Sequence, residues 1–395
     1  MAGPCSASGS DWGPDDKADD LTVLTGTWFP GEDSVYQWIG PLFGSPPGIS
    51  AGDIPYFNVL DFGAKAGAGS GVQDDAHRIQ LAIDAALVSG VGAVFIPRGS
   101  YTARSPINVS LADGQSLRIF SDFAALQVDA DKNFTWPVTP NTAGAMLSLS
   151  SEGRPLVVER LYLNCMHKAP VCVSLENASG PMVHVRHLIT QFAADKDIRV
   201  VQCKGVSFLD CYADHSGGDG WYIEGCKGAS FIGCCARQNA RNGFCISGSS
   251  VAESGACFVS HVLSEGNGGC GICIWEGDPG LTGGHATGVR VRDGWIEGNY
   301  LHGVRIAAWD VEVAGLKIVG GTSPSRCIMV DKEASGVMVR DCAISLSAGD
   351  YGVPLDEAGQ ARFVFFDHNY ATSEEGDNPC SPDETRARLV VPKAV

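Results

Sequence analysis

Residues 206–228 read VSFLDCYADHSGGDGWYIEGCKG, and residues 229–246 read ASFIGCCARQNARNGFCI. Laid on each other with a step of 23, they match column by column: Phe208 on Phe231, Cys211 on Cys234, Ala213 on Ala236, Gly220 on Gly243, Trp221 on Phe244, and Ile223 on Ile246. The apolar positions alternate within runs of three or four residues, the period of a strand. The runs are separated by turn residues. Self-similarity at a period just over 20 residues marks a solenoid, in which each repeat buries its apolar face on the next.

The register extends both ways. Downstream come Cys257, Val259, Val262, Ser264, Gly271, Ile272 and Ile274, then Val289, Val291, Gly294, Ile296, Gly303, Val304 and Ile306, with later coils starting at Val311 and Val337. Upstream lie Leu156, Val158, Leu161, Leu163, Val171 and Val173, then Val183, Val185, Leu188, Thr190, Ile198 and Val200. Eight coils share one pattern. The step grows from 23 to 28 and then 32 residues, and the extra residues fall at Gly248–Gly255 and Glu276–Thr287, after the same strand each time. Stacked insertions of this kind form loops on one face, where binding residues concentrate.

Ahead of the repeats stands Phe57-Asn58-Val59-Leu60-Asp61-Phe62-Gly63-Ala64-Lys65, then Asp74-Asp75. Ile79, Ala82, Ile83, Ala86 and Leu87 line one face of a helix over Ala76–Val88, with Asp74 or Asp75 as N-cap and Gly90 as stop. Ala93–Ile96 reads as a strand and Pro97-Arg98-Gly99-Ser100-Tyr101 as a turn. The stretch from Phe57 to Tyr101 resembles the N-terminal motif of the pectate-lyase-like superfamily, a DFGAKGDG-like run, a helix capped by two Asp, and a strand ending in FPxGxY. It departs in having Ile96 before Pro97 and no acidic residue in its Gly-rich link.

The resemblance implies an all-β fold, a single-stranded right-handed parallel β-helix with one N-terminal capping helix. It does not single out a reaction, because the superfamily holds lyases, hydrolases, epimerases and bacteriophage tailspikes. The organisation expected is an aromatic, Gly- and Pro-rich segment over 1–55, a capping motif over 56–105, the β-helix over 106–360 and a tail or cap over 361–395.

The bulk properties fit. Of 395 residues 44% are hydrophobic and 18% charged, with 50 glycines, which suits stacked strands and turns. A net charge of −17 repels nucleic acid. No apolar run is long enough to cross a membrane, and Met1–Trp12 has no basic region followed by an apolar one, so no secretion signal is expected. The 15 cysteines read as reduced and buried, and the lone Cys270/Cys273 pair lacks a partner pair at zinc spacing. No metal and no cofactor are expected.

Candidate chemistry lies in stacked columns. Asn239, Asn267 and Asn299, with Ser216, stand at a common turn, read as outward, and an amide ladder there is structural. Two residues earlier come Asp214, Arg237, Glu265 and Glu297. With coils about 4.8 Å apart, Glu265 and Glu297 approach the spacing of a retaining glycosidase pair, and Asp214 and Glu265, roughly 9.6 Å apart, that of an inverting pair. A neutralised charge ladder is the alternative. Another column is Asp197, Asp219, Asn242, Cys270 and His302, where Asp219 is either a turn residue or a groove carboxylate with Asp214 as partner and His215 as proton carrier. Trp275, Glu276 and Asp278 offer a ring beside carboxylates for a sugar, and Tyr222, Trp295, Tyr300 and Trp309 extend that platform. The catalytic candidates are thus Asp214, Asp219, Glu265, Glu297 and His215. The substrate-binding candidates are Arg237, Trp275, Glu276, Asp278, Trp295 and Tyr300. Inward cysteines, Cys211 on Cys234 and Cys203 on Cys226, act as small apolar residues, while Cys245 and Cys273 share an outward column.

The superfamily resemblance leaves three functions open. One is a bacteriophage tailspike or tail-fibre protein that binds host surface polysaccharide and may or may not depolymerise it. It would be carried in the virion tail, joined to tail or baseplate proteins through residues 1–55, and homotrimeric, although no trimerisation domain follows the solenoid. Another is a bacterial polysaccharide hydrolase, lyase or epimerase. The third is a non-catalytic structural or adhesive β-helix. The residue sets of a polygalacturonase-like hydrolase and of a calcium-dependent pectate lyase are both missing.

Overall fold

The structure, a computed structural model, describes residues 55–67, 73–138, 143–248, 254–275, 286–320, 326–332, 334–346, 355–357 and 362–373. Residues 1–54, and the site candidates Glu276 and Asp278, lie outside the described residues.

Each coil contributes three short strands. In the coil that decided the reading these are Ser207–Leu209, Tyr212–Asp214 and Trp221–Glu224. The next coil places Ser230–Ile232, Cys235–Arg237 and Phe244–Ser247 on them, parallel and in the register of the sequence match. Phe258–Ser260, Leu263–Glu265 and Ile272–Trp275 follow, then Arg290–Arg292, Trp295–Glu297 and His302–Ala307. First and second strands join one large sheet, and third strands form a separate ten-stranded sheet from Ile107–Leu111 to Leu355–Glu357. The result is a right-handed parallel β-solenoid of about nine turns with the pectin-lyase-like fold. Strands Arg362–Asp367 and Tyr370–Ser373 add rungs beyond residue 360, within the stretch expected as a tail or cap.

Corners are made by single residues in the left-handed region. His215, Gln238, Gly266 and Gly298 turn the chain after each second strand, at φ 60°, 49°, 64° and 62°. One such residue reverses the side-chain alternation and swings the backbone into the next face within a few residues.

The interior is apolar and stacked. Phe208 lies on Phe231 with centroids 5.3 Å apart, and Trp221 on Phe244 at 5.6 Å. Both pairs are fully buried, and the Trp221 indole donates to the Cys235 carbonyl at 3.0 Å. The 13 described cysteines are all buried and unpaired by disulfides.

The cap explains the two Asp. The helix α1 spans Asp75–Ser89, with Asp74 as N-cap accepting from the His77 amide and Gly90 closing it at φ 73°. Asp74 also accepts from the Arg104 amide, and the buried Asp75 takes the Lys65 and Thr102 amides. Two carboxylates thereby tie helix, motif and first coil together, while Ile79, Ala82, Ile83 and Ala86 close the apolar end. No helix among the described residues is long and apolar enough to cross a membrane.

Candidate active-site face

The Asn column is internal, a correction to the outward placement. Asn239, Asn267 and Asn299 are 1–3% exposed. Asn239 Nδ2 donates to Asn267 Oδ1 at 2.9 Å and Asn267 Nδ2 to Asn299 Oδ1 at 2.8 Å, while each Oδ1 also takes the preceding coil's amide. The reversal lies in the left-handed corner residue just before each Asn, which carries the next side chain inward. The ladder also accounts for the repeat glycine, since a Cβ on Gly220 would lie 2.5 Å from Asn239 Nδ2.

The charged column two residues earlier faces outward and keeps the expected register, Gln191–Asp214–Arg237–Glu265–Glu297. Each carboxylate has its own partner. Asp214 takes Gln191 Nε2 at 2.7 Å and lies 2.9 Å from His215 Nδ1. Gln191 in turn accepts from the Tyr162 hydroxyl at 2.7 Å, and Phe192 packs between His167 and His215. Glu265 pairs with Arg237 Nε at 3.0 Å, and Glu297 accepts from Trp295 Nε1 at 2.9 Å. Lys317 Nζ sits 3.9 Å over the Trp295 ring, and Tyr300 projects into solvent. Glu265 and Glu297 are thus backbone neighbours with different partners, Glu265 an arginine one coil back and Glu297 an indole on its own strand. Asp214–His215 is the acid–imidazole contact of this column.

Asp219 and its neighbours make a second internal ladder. Asp219 Oδ1 accepts from the Asn242 amide and from Asn242 Nδ2, and Asn242 Oδ1 accepts from the Cys270 amide at 2.9 Å. Burial pushes the Asp219 carboxyl up, against the Asn242 hydrogen bonds and the charges of Arg241 and Lys196. Asp197, one coil earlier, is fully buried. It takes the Ala193 amide at 3.1 Å and the Cys172 thiol at 3.5 Å, leaves Oδ2 unpartnered, and is pushed well above the usual carboxylate range by burial.

A third group gathers on the outer face of the ten-stranded sheet, where third strands align Ser174–Arg199–Tyr222–Cys245–Cys273–Arg305 and, two residues on, Glu176–Val201–Glu224–Ser247–Trp275–Ala307. Arg199 Nη1 donates to Ser174 Oγ at 3.1 Å and also binds Glu176. Lys196 Nζ stands 5.0 Å from the Tyr222 ring centre and pairs with Asp195. The Tyr222 phenol is pushed up, first by burial and then by Glu224, with Glu224 and Ser247 in hydrogen-bonding reach. Arg305 holds Asp331 at 2.7 Å and lies 5.8 Å over the ring of Trp275. Cys245 and Cys273 do share the outward column but are buried, and the Cys273 thiol touches both Cys245 and Cys270.

The predicted candidates therefore divide. Asp214, His215, Arg237, Glu265, Glu297 and Trp295 belong to the corner column, Asp219 to the internal ladder beside Lys196, and Trp275 to the sheet face. Sequence reasoning passed over Lys196, Arg199, Glu224 and Arg305. Aligning third strands across coils, Arg199 under Tyr222 and Arg305 two rungs above Cys245, carried the signal. No group of metal-ligating side chains able to hold an ion occurs among the described residues.

No protein-family profile matches the chain. Mannuronan C5-epimerase AlgE5 of Azotobacter vinelandii is 53% identical over 45 residues, 11% of this chain, and those residues span only 4% of that enzyme. The A-module of mannuronan C-5 epimerase AlgE6 from the same organism shares 21% identity with a TM-score of 0.58 over 81% of this chain and 87% of its own. Dettilon tailspike protein shares 10% identity with a TM-score of 0.53 over 80% of this chain and 68% of its own. At such identities the likeness is one of fold.

Proposed function

We propose that the chain is a polysaccharide-modifying enzyme of the lyase or epimerase kind, acting on a uronate-containing glycan at the outer face of the ten-stranded sheet. The observation that carries this is the placement of Lys196, Tyr222 and Glu224 together on that face. The proton at C5 of a uronate becomes removable when the adjacent carboxylate is neutralised, and Lys196 supplies that charge beside Tyr222. Glu224 is the base on this face. Tyr222, its phenol pushed up and so protonated near neutrality, is the acid that returns a proton to the carbanion or to the departing glycosidic oxygen. The names of the AlgE relatives support a uronate over a neutral sugar.

The test is incubation with mannuronan and with homogalacturonan, reading unsaturated uronate by ultraviolet absorbance and C5 configuration by NMR. Tyr222→Phe and Lys196→Ala are expected to lower turnover by about 100-fold or more while leaving the unfolding midpoint in place. Full activity in Tyr222→Phe refutes the assignment. Loss of activity in Asp214→Ala or Glu265→Ala, with Tyr222→Phe intact, moves the site to the corner column.

A second reading, a phage tailspike that binds host polysaccharide as a homotrimer anchored in the virion tail through residues 1–55, is supported by the tailspike likeness and the aromatic-rich N-terminal segment. Sedimentation as a monomer with no particle association removes it.

A further inference from the structure

Away from the ten-stranded sheet, the outer face of the first strands carries a different cluster. Arg290, Glu312, Met338 and Phe365 stack in one column, and Arg292, Ala314 and Arg340 in the next. Three guanidinium groups converge on the single carboxylate of Glu312, from Arg292 at 2.8 Å, Arg340 at 2.8 Å and Arg290 at 3.5 Å. The Arg292 hydrogen bond, more than any other contact, holds that carboxyl below its usual range. Beside it opens a cavity of about 320 Å³ lined by Arg290, Asp310, Glu312, Met338, Arg340 and Phe365.

We propose that this cavity is a second, non-catalytic binding site for one anionic sugar unit. Arg290 and Arg340 would take its carboxylate or sulfate, and Phe365 and Met338 its apolar face. One shared carboxylate does not neutralise three arginines, and Arg292 Nε is buried without a partner. The remaining counter-charges are solvated. The Asp310 carbonyl accepts from Arg290 Nη1 at 2.6 Å, but its carboxylate reaches Arg290 only through two contacts of 3.2 Å from Nη2 with the side chain 65% exposed, and Asp341, which pairs with Arg340, is 47% exposed. Exposed pairs of this kind hold weakly, so an incoming oxyanion can displace the Asp310 carboxylate. Planar guanidinium forks read carboxylate or sulfate oxygens in pairs. Met338 and Phe365, 43% and 40% exposed, leave an apolar wall uncovered next to them. On a chain of net charge −17, Arg290, Arg292 and Arg340 set against Glu312, Asp310 and Asp341 make this face locally near neutral, less repulsive to an anion than the average surface. The choice of a sugar as the anion's carrier rests on the proposed function, whereas the oxyanion site does not. A polymer held here and at the sheet face would be engaged at two points, raising its effective concentration at the chemistry.

The experiment is hydrogen-exchange mass spectrometry and titration calorimetry on the full chain, with inorganic sulfate and with a galacturonate tetrasaccharide. Both probes are expected to protect residues 309–314 and 335–340. Asp310→Asn, which keeps a residue tolerant of the left-handed φ of 50°, is expected to tighten both probes about threefold by removing the competing carboxylate. Phe365→Ala is expected to weaken the tetrasaccharide about fivefold and leave sulfate unchanged. Repeating the titration in Lys196→Ala separates the sites: protection at 335–340 persists there whether or not the sheet face binds. No protection with either probe overturns the site. Unchanged affinity in both Asp310→Asn and Phe365→Ala does the same. Binding of sulfate alone overturns the sugar assignment.

Discussion

Glu265 and Asn267 are two residues apart on one coil, and each stands in a column repeated coil after coil, yet the columns meet opposite surroundings. Glu265 ends a strand on the outside, in a partly exposed pair with Arg237. Asn267 is 1% exposed and bonded above and below. Between them lies Gly266 at φ 64°. One left-handed residue turns the chain and reverses the next side chain, so a column's position relative to the corner decides whether it bonds inside the coil or lies on the outer face. A repeated polar residue is by itself no sign of either.

The comparison breaks most sharply at Asn267. In Asn267→Ala the Asn239 amide and side-chain NH2 lose their acceptor, and Asn299 Oδ1 and Ser264 Oγ lose a donor, all in the interior. At about 1–3 kcal/mol per stranded buried group, a destabilisation of about 3–5 kcal/mol is expected by urea unfolding. A loss under about 1 kcal/mol would mean that the ladder only follows the coil.

Asp197 tests the internal side by pH. Its folded carboxyl is pushed well above the ordinary value, so between the unfolded pKa, about 4, and the raised folded one the native state keeps a proton that the unfolded chain has lost. Stability from this group is complete at low pH and falls as pH rises. Asp197→Asn is expected to flatten that decline between pH 4 and 7, measured by urea midpoints; an unchanged slope would show the carboxyl ionised in place.

The outward column gives the smallest effect. Arg237→Ala removes a partly exposed pair and is expected to cost about 1 kcal/mol, shrinking further in high salt. A loss as large as that at Asn267 would erase the distinction between the two columns.

Much of this was legible beforehand. The step of 23 placed Trp221 on Phe244 and Asp214 on Arg237, and both pairs are register partners. The helix and both its caps followed from periodicity and turn chemistry. What misled was the direction of single side chains near corners. Asn favours turns, which points the Asn column outward, but the same residue bonds well inside when the backbone reverses just before it. Most of the sheet-face group escaped because Lys196, Arg199, Glu224 and Arg305 look, one coil at a time, like ordinary outward polar residues of an alternating strand.

The sequence by itself determined the solenoid, its register and the cap, because strand alternation and coil-to-coil burial are periodic and leave a periodic record. Only the tertiary structure decided which polar residues meet: the three guanidinium groups on Glu312, Lys196 over the Tyr222 ring, and the separation of Glu265 from Glu297 by different partners. Those meetings depend on rotamers and on single left-handed corners. The corners repeat with the coil but leave no apolar periodicity, and the rotamers do not repeat, so stacking the sequence on itself leaves the meetings unspecified.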